Sequence, residues 1–246
     1  MMKKPLWTAL LLLVLATLGL QLYFALRIAA MALIDPQSSA FERSQLWRIA
    51  TAEPRMHWRQ DWVAYPQISR TLKSAVLASE DDGFASHSGV DWGAIESAWR
   101  RNAKAEARAE ARSAAAGGRP VKPPKIVGGS TITQQLAKNL FLSGERTIVR
   151  KAQELVITML LEACLSKERI LEIYLNHVEW GDGVFGAQAA AQRYFRKDAA
   201  QLTAAEAARL AVMLPRPRFY EKVPGSEYLA NRSALIQGRM ADVPLP

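Results

Sequence analysis

The chain opens on an unbroken apolar run. From Pro5 to Leu26 it reads PLWTALLLLVLATLGLQLYFAL, with Gln21 the one strongly polar residue. A helix of that length, at ~1.5 Å per residue, covers the roughly 30 Å of a bilayer's hydrocarbon core. Further along, apolar positions recur at helical spacing. Ile68, Leu72, Ala75 and Val76 fall at i, i+4, i+7 and i+8, the pattern of one buried helix face. Thr131 with Gln134, at the head of TITQQLAKNLF, and Thr203 with Glu206, before AAEAARLAVML, are capping boxes that predict helix starts. Pro215 closes the second of these helices. Another helix is predicted from Thr147 to Cys164. Its apolar positions Ile148, Ala152, Leu155, Met159 and Ala163 share a face expected to be core, and Arg150, Lys151 and Glu154 group on the opposite face. No segment alternates like a half-buried strand, and no Asn-Gly hairpin signal occurs. The folded part is expected to be mainly α.

Lys3 and Lys4 precede the apolar run and predict a cytoplasmic N-terminus, with Arg27 at the far end as a single opposing charge. A cleaved signal peptide, with small residues at Ala30 to Ala32, is the alternative, but its apolar core usually spans only ~7–15 residues. The reading is an uncleaved anchor with a cytoplasmic stub over 1–34 and an exported domain over 35–246. Residues 35–66 mix Trp47, Pro54, Trp58, Trp62 and Pro66 without periodicity, as in a juxtamembrane stretch with tryptophans at the lipid interface.

Charge changes the picture only locally. The net charge of the 246 residues is +9. Lys3, Lys4 and Arg27 supply part of it, and eight Lys and Arg against Glu106 and Glu110 in 100–125 supply the rest. The remainder is formally neutral, which argues against a nucleic-acid partner. Residues 100–125 read RRNAKAEARAEARSAAAGGRPVKPPK, a helix-prone half followed by a Gly- and Pro-rich linker. This is read as a solvated basic insertion, the alternative being a flap that touches anionic lipid headgroups. The single cysteine, Cys164, excludes an intramolecular disulfide, and His57, His87 and His177 are too scattered for a His-rich metal motif.

Three segments carry candidate chemistry. Glu80-Asp81-Asp82 ends a periodic helix, and adjacent acids raise one another's pKa, which suits a general base. Gly128 and Gly129 open a helix whose free N–H groups favour an anion, with Ser130, Thr131, Gln134, Gln135, Lys138 and Asn139 as further donors. The capping box accounts for Thr131 and Gln134 structurally, but not for Gln135, Lys138 and Asn139. The Arg150, Lys151 and Glu154 group on its own reads equally as a solvated ion-paired face. Gly181-Asp-Gly-Val-Phe-Gly186 matches G-x-G-x-x-G, but the preceding ILEIYLN has helical spacing, so the glycines are read as a tight turn between helices and not as a dinucleotide site.

Four ordered motifs together resemble the peptidoglycan glycosyltransferases, or biosynthetic transglycosylases. They are EDDGFASHSGVD (80–91), GGSTITQQLAKNLF (128–141), RTIVRKAQE (146–154) and ILEIYLNHVEWGDGVFGAQAAAQRYF (170–195). The resemblance spans roughly residues 66–220. It implies a lysozyme-like helical domain after one transmembrane helix. The anchor, the LPRPRF ending and the absence of Ser-x-x-Lys or Lys-Thr-Gly resemble the monofunctional branch of Gram-negative bacteria, an inner-membrane enzyme with a periplasmic catalytic domain. The implied substrates are lipid II and a growing lipid-linked glycan chain, with membrane contact and partners among cell-division or elongation proteins. The implied reaction is inverting polymerisation with release of undecaprenyl pyrophosphate. Glu80 matches the family's catalytic glutamate and Glu154 its second glutamate, expected to orient cations or donor. Lys138, Arg146, Arg150 and Lys151 would meet the pyrophosphate, and Ser130, Gln134, Gln135 and Asn139 would hold sugar and phosphate oxygens. No cofactor is obligatory. Some members respond to a divalent cation such as Mg or Mn, but no dedicated metal site is spelled out. A lysozyme-like lytic muramidase and a non-catalytic wall adaptor stand as alternatives.

Overall fold

The computed structural model describes residues 3–52, 57–115, 123, 126, 128–145 and 147–246. Its elements are α1 (Lys3–Ala30), α2 (Ala40–Ala52), β1 (Arg59–Gln60), α3 (Arg70–Glu80), α4 (Trp92–Ala115), α5 (Ile132–Phe141), α6 (Ile148–Cys164), α7 (Lys167–His177), β2 (Glu179–Gly181), β3 (Val184–Phe185), α8 (Ala187–Phe195), α9 (Ala204–Met213), α10 (Pro217–Lys222) and α11 (Glu227–Arg239). The fold is mainly helical, as the periodicity predicts. Both capping boxes form: Thr131 and Gln134 at α5, Thr203 and Glu206 at α9. Ser69 caps α3, whose Leu72, Ala75 and Val76 are buried.

Two packed groups of helices build the core. Helices α3, α9 and α11 pack against one another, and α5 packs against α6 and α7. One continuous apolar cluster joins them, including Leu72, Leu136, Ile157, Tyr174, Trp180 and Leu210. The second half of α1 joins this cluster through Phe24 and Ile28, and the turn after it through Met31, while the first half of α1 stands exposed. The Gln21 and Gln153 amides exchange hydrogen bonds at 2.9 and 3.0 Å, and Arg169 Nε donates to the Met31 carbonyl. The apolar N-terminal helix and the rest of the fold therefore interlock well before residue 34.

Three expectations are corrected. The apolar stripe of α6 faces outward: Ile148 is 89% exposed, and Ala152, Leu155, Met159 and Ala163 are exposed as well. The inward face carries Glu154, Ile157, Thr158 and Leu161. Periodicity identifies the two faces but does not say which surroundings each meets, and here the apolar face lies on the outside of a helix that packs beside the exposed apolar α1. Second, there is a small sheet of order β1-β3-β2, with β1 parallel and β2 antiparallel to β3. Strands of two or three residues are too short to alternate visibly. The glycines do turn the chain, but the turn joins β2 to β3 and not one helix to the next: Gly183 has φ +70°, and a Cβ there would meet the His57 carbonyl oxygen at 1.9 Å. Third, the 35–66 stretch contains α2, and its tryptophans are not all given to lipid. Trp58 packs against Phe185 with the rings tilted by 30° and Trp62 lies edge-on to His177, while Trp47 is exposed. The Ala/Glu/Arg half of the basic insertion is helical within α4, and most of its Gly- and Pro-rich half lies outside the described residues.

Candidate active site

Glu80 is the last residue of α3, where the helix delivers its side chain to the junction with α5. Gln135 Nε2 donates to Glu80 Oε2 at 3.1 Å, and the Tyr174 hydroxyl donates to Gln135 Oε1, also at 3.1 Å. Tyr174 thereby fixes which end of the amide meets the carboxylate. Burial lifts the Tyr174 phenol well above its ordinary value, with Glu80 and Asp81 pushing the same way, so it stays a donor. Burial also raises the Glu80 carboxyl, opposed by the hydrogen bonds from Gln135 and Ser79 and by the charge of Arg232, and assisted by Asp81. This is the environment of a base poised above an ordinary glutamate.

Asp81 is buried and takes a different part. Its Oδ2 accepts from the Ile132 N–H at 2.9 Å and its Oδ1 meets His87 Nε2 at 2.8 Å. His87 Nδ1 accepts from the Gly89 N–H at 3.1 Å, so the hydrogen bonds assign the neutral Nε2–H tautomer. The Thr131 hydroxyl donates to the Gly89 carbonyl at 2.6 Å. Gly89 has φ +84°, and a Cβ there would lie 2.7 Å from Thr158 Cγ2. The N-terminus of α5, which the sequence offers to a substrate anion, is thus capped from within by Asp81. Asp82 is exposed and pairs with Arg239 at 2.7 Å.

Beside Glu80 lies a cleft of about 520 Å³. Of the residues singled out from the sequence, Ser130, Gln134, Gln135, Lys138, Asn139, Arg150, Lys151 and Glu154 all line it. Glu80 adjoins it through Gln135, and Arg146 lies outside the described residues. Gln134 is partly committed, its Oε1 accepting from the Thr131 N–H in the capping box. Glu154 is buried and accepts from Arg150 Nη1 at 2.6 Å and from Lys151 Nζ. Among the described residues Arg150 Nε is buried with no partner, a donor left beside the cleft. Lys138 can be reached through the cleft mouth, yet crowding by the walls pulls its ammonium below the usual lysine range. Arg150 and Lys151 push the same way, and Glu154 opposes. Three cations held around one carboxylate form a site for a polyanionic group.

Sequence reasoning missed three contributors. Tyr174 lies inside a quoted motif but looks like core, which it also is. Glu179 lines the cleft, paired with Arg218 at 2.7 Å, and burial raises its carboxyl against that partner. Phe41 lines the cleft from α2, a helix without a periodic signal.

A raised carboxyl beside a cation-lined cleft in a helical fold has the chemistry that group transfer from a phosphorylated donor requires, a base and a cradle for a departing anion. The transglycosylase family model matches residues 48–241, and the chain belongs to that family. It is 53% identical over 231 residues to the biosynthetic peptidoglycan transglycosylase of Burkholderia pseudomallei (strain K96243), covering 94% of this chain and 84% of the relative. It is 48% identical to the protein of that name in Herminiimonas arsenicoxydans, over 100% of this chain and 99% of the relative.

Proposed function

We propose that the chain polymerises lipid II into peptidoglycan glycan strands, with Glu80 as general base. It is a peptidoglycan glycosyltransferase, and its substrate is a lipid-linked glycan precursor. Glu80 takes the proton of the acceptor sugar's 4-hydroxyl as that oxygen attacks the donor's anomeric carbon. The bond to the pyrophosphate oxygen breaks with inversion, and Lys138, Arg150 and Lys151 receive the departing charge, with Arg146 joining them by motif. Glu154 orients the cations, and Ser130, Gln134, Gln135 and Asn139 hold sugar and phosphate oxygens. The single observation that carries this reading is the Tyr174–Gln135–Glu80 chain ending at a cleft lined by three cations. A lytic enzyme expels an uncharged sugar and has no use for those cations.

A divalent cation, Mg or Mn, would ride on the substrate's pyrophosphate. Glu154 and Glu179 are already paired with cations, and among the described residues no group of three or more His, Cys, Asp or Glu gathers as a metal site. The placement we propose is a single pass through the inner membrane, N-terminus cytoplasmic and catalytic domain periplasmic, with residues 1–34 as stub and anchor. Leu6–Ala30 is long and apolar enough to span, and the exposed apolar face of α6 lies beside it. Cell-division or elongation proteins are the partner class proposed from the family resemblance.

Glu80→Gln tests the assignment. Polymerisation of detergent-solubilised lipid II should fall by ~10²-fold or more. A carboxyl lifted by burial costs stability as pH rises through its ordinary range, so the amide should leave the neutral-pH melting temperature unchanged or higher. Near-normal polymerisation would move the base elsewhere, Glu154 first.

A further inference from the structure

His177, the last residue of α7, is buried against Glu42 of α2, each side chain 1% exposed. His177 Nδ1 lies 2.7 Å from Glu42 Oε1, and Nε2 lies 3.1 Å from the Pro36 carbonyl oxygen. Both ring nitrogens therefore face oxygens that accept. A neutral imidazole has one N–H and satisfies only one of them. His87 makes the contrast, with one nitrogen facing an N–H and the other a carboxylate. The His177 arrangement needs one proton more, held as an imidazolium–carboxylate pair. The C-terminal end of α7 favours that cation.

Glu42 is itself fixed. Its Oε2 accepts from the Ser39 N–H at 2.6 Å, its Oε1 accepts from Gln60 Nε2 at 3.0 Å, and its own N–H donates to Ser39 Oγ. The neighbouring residue is Phe41, which lines the catalytic cleft and packs edge-on to Phe185 with ring centroids 6.2 Å apart. One and two turns further along α2, Gln45 meets Arg218 and Arg48 meets Asp182. Those ties are solvent-accessible and hold weakly. The buried pair is the one whose loss leaves an uncompensated charge inside the protein.

We propose that His177 and Glu42 form a protonated latch that holds α2 against the domain and so sets Phe41 as a wall of the substrate cleft, making His177 a positioning residue for polymerisation. The proposal rests on the cleft being the polymerase site. Around the latch, Trp62 covers the imidazole edge-on, with Arg169 on that ring and Glu172 paired to Arg169, and Glu179 with Arg218 lies two residues beyond.

The test uses the full chain in detergent micelles with lipid II, measuring KM and kcat beside thermal melts. Glu42→Ala raises KM several-fold with a smaller change in kcat, and Glu42→Gln, which keeps a neutral hydrogen bond to each ring nitrogen, raises it less. His177→Gln raises KM about tenfold, and adding Phe41→Ala to it raises KM no further, because the latch acts through that side chain. A native KM in Glu42→Ala, or effects of His177→Gln and Phe41→Ala that multiply in the double variant, overturns the latch. A His177→Gln variant with a lowered melt and native KM makes the pair merely structural and overturns it too. Failure of the polymerase reading would look different: the native chain would then make no polymer from lipid II, and no KM could be measured for any variant.

Discussion

Tyr174→Phe removes one hydroxyl from the core and no carbon. The lost bond runs to Gln135 Oε1, the group whose orientation delivers the Nε2–H to Glu80. An acceptor left unsatisfied in a buried place costs ~1–3 kcal/mol, which for a chain of this size lowers the melting temperature by a few degrees. The second effect is on chemistry. Without Tyr174 the amide is free to turn and present oxygen to the carboxylate. A hydrogen bond to a charged group contributes ~1.5–3 kcal/mol, so its loss costs ~10-fold or more in turnover wherever protonation of Glu80 limits the rate. The sign follows from the present balance, in which burial raises the Glu80 carboxyl and the Gln135 bond opposes that rise. Removing the bond keeps the base protonated to higher pH, so the acid limb of the rate profile moves in the alkaline direction. The assay is the pH dependence of kcat on solubilised lipid II, native against Tyr174→Phe. A lowered melt with an unmoved acid limb would reduce Tyr174 to a packing residue and refute the chain of hydrogen bonds.

Lys151→Ala should lower kcat more than it raises KM, because it removes charge that meets the departing pyrophosphate; a changed melt with intact kinetics would make its pair with Glu154 structural. Removing the first 20 residues should leave the melt of the remaining chain near native, whereas removing the first 34 should lower it markedly. The second cut takes Phe24, Ile28 and Met31 out of the core, at ~1.5–3 kcal/mol per side chain; equal melts would show that α1 only tethers. Met159→Asp on the exposed apolar face of α6 should leave turnover in micelles near native but weaken binding to lipid vesicles in a flotation assay, and unchanged flotation would place that face away from lipid.

Most of the helices were legible because their signals are local. A Thr at the N-cap with Gln or Glu three residues on fixes a start wherever the rest of the chain goes, and α5 and α9 begin where those boxes predict. The cleft was legible for a related reason. Gln134, Gln135, Lys138 and Asn139 follow one another on a single helix, and Arg150, Lys151 and Glu154 do so on the next, so each set needed only one packing contact to meet the other. What stayed hidden depends on distant partners. Nothing near Phe41 announces a cleft wall, since the partners of α2 are distant in sequence, Glu42 meeting His177 across 135 residues. The direction of the α6 faces was hidden too, because Ile148 and Met159 look the same whether protein or lipid covers them. Asp81 looked like a member of an acidic cluster, and its use depended on the Ile132 N–H, 51 residues away.

The burial of Phe24, Ile28 and Met31 has a mechanical consequence. With α1 across the bilayer as proposed, the joint between anchor and enzyme is a weld and not a swivel, because the helix enters the core without an intervening loop and is pinned there by Gln21 and the Met31 carbonyl. The height of the cleft above the bilayer midplane then becomes a fixed dimension of the protein. A substrate with a lipid tail must come in sideways at that height, and the lengthening strand has to be fed outward past an enzyme that cannot tip to follow it.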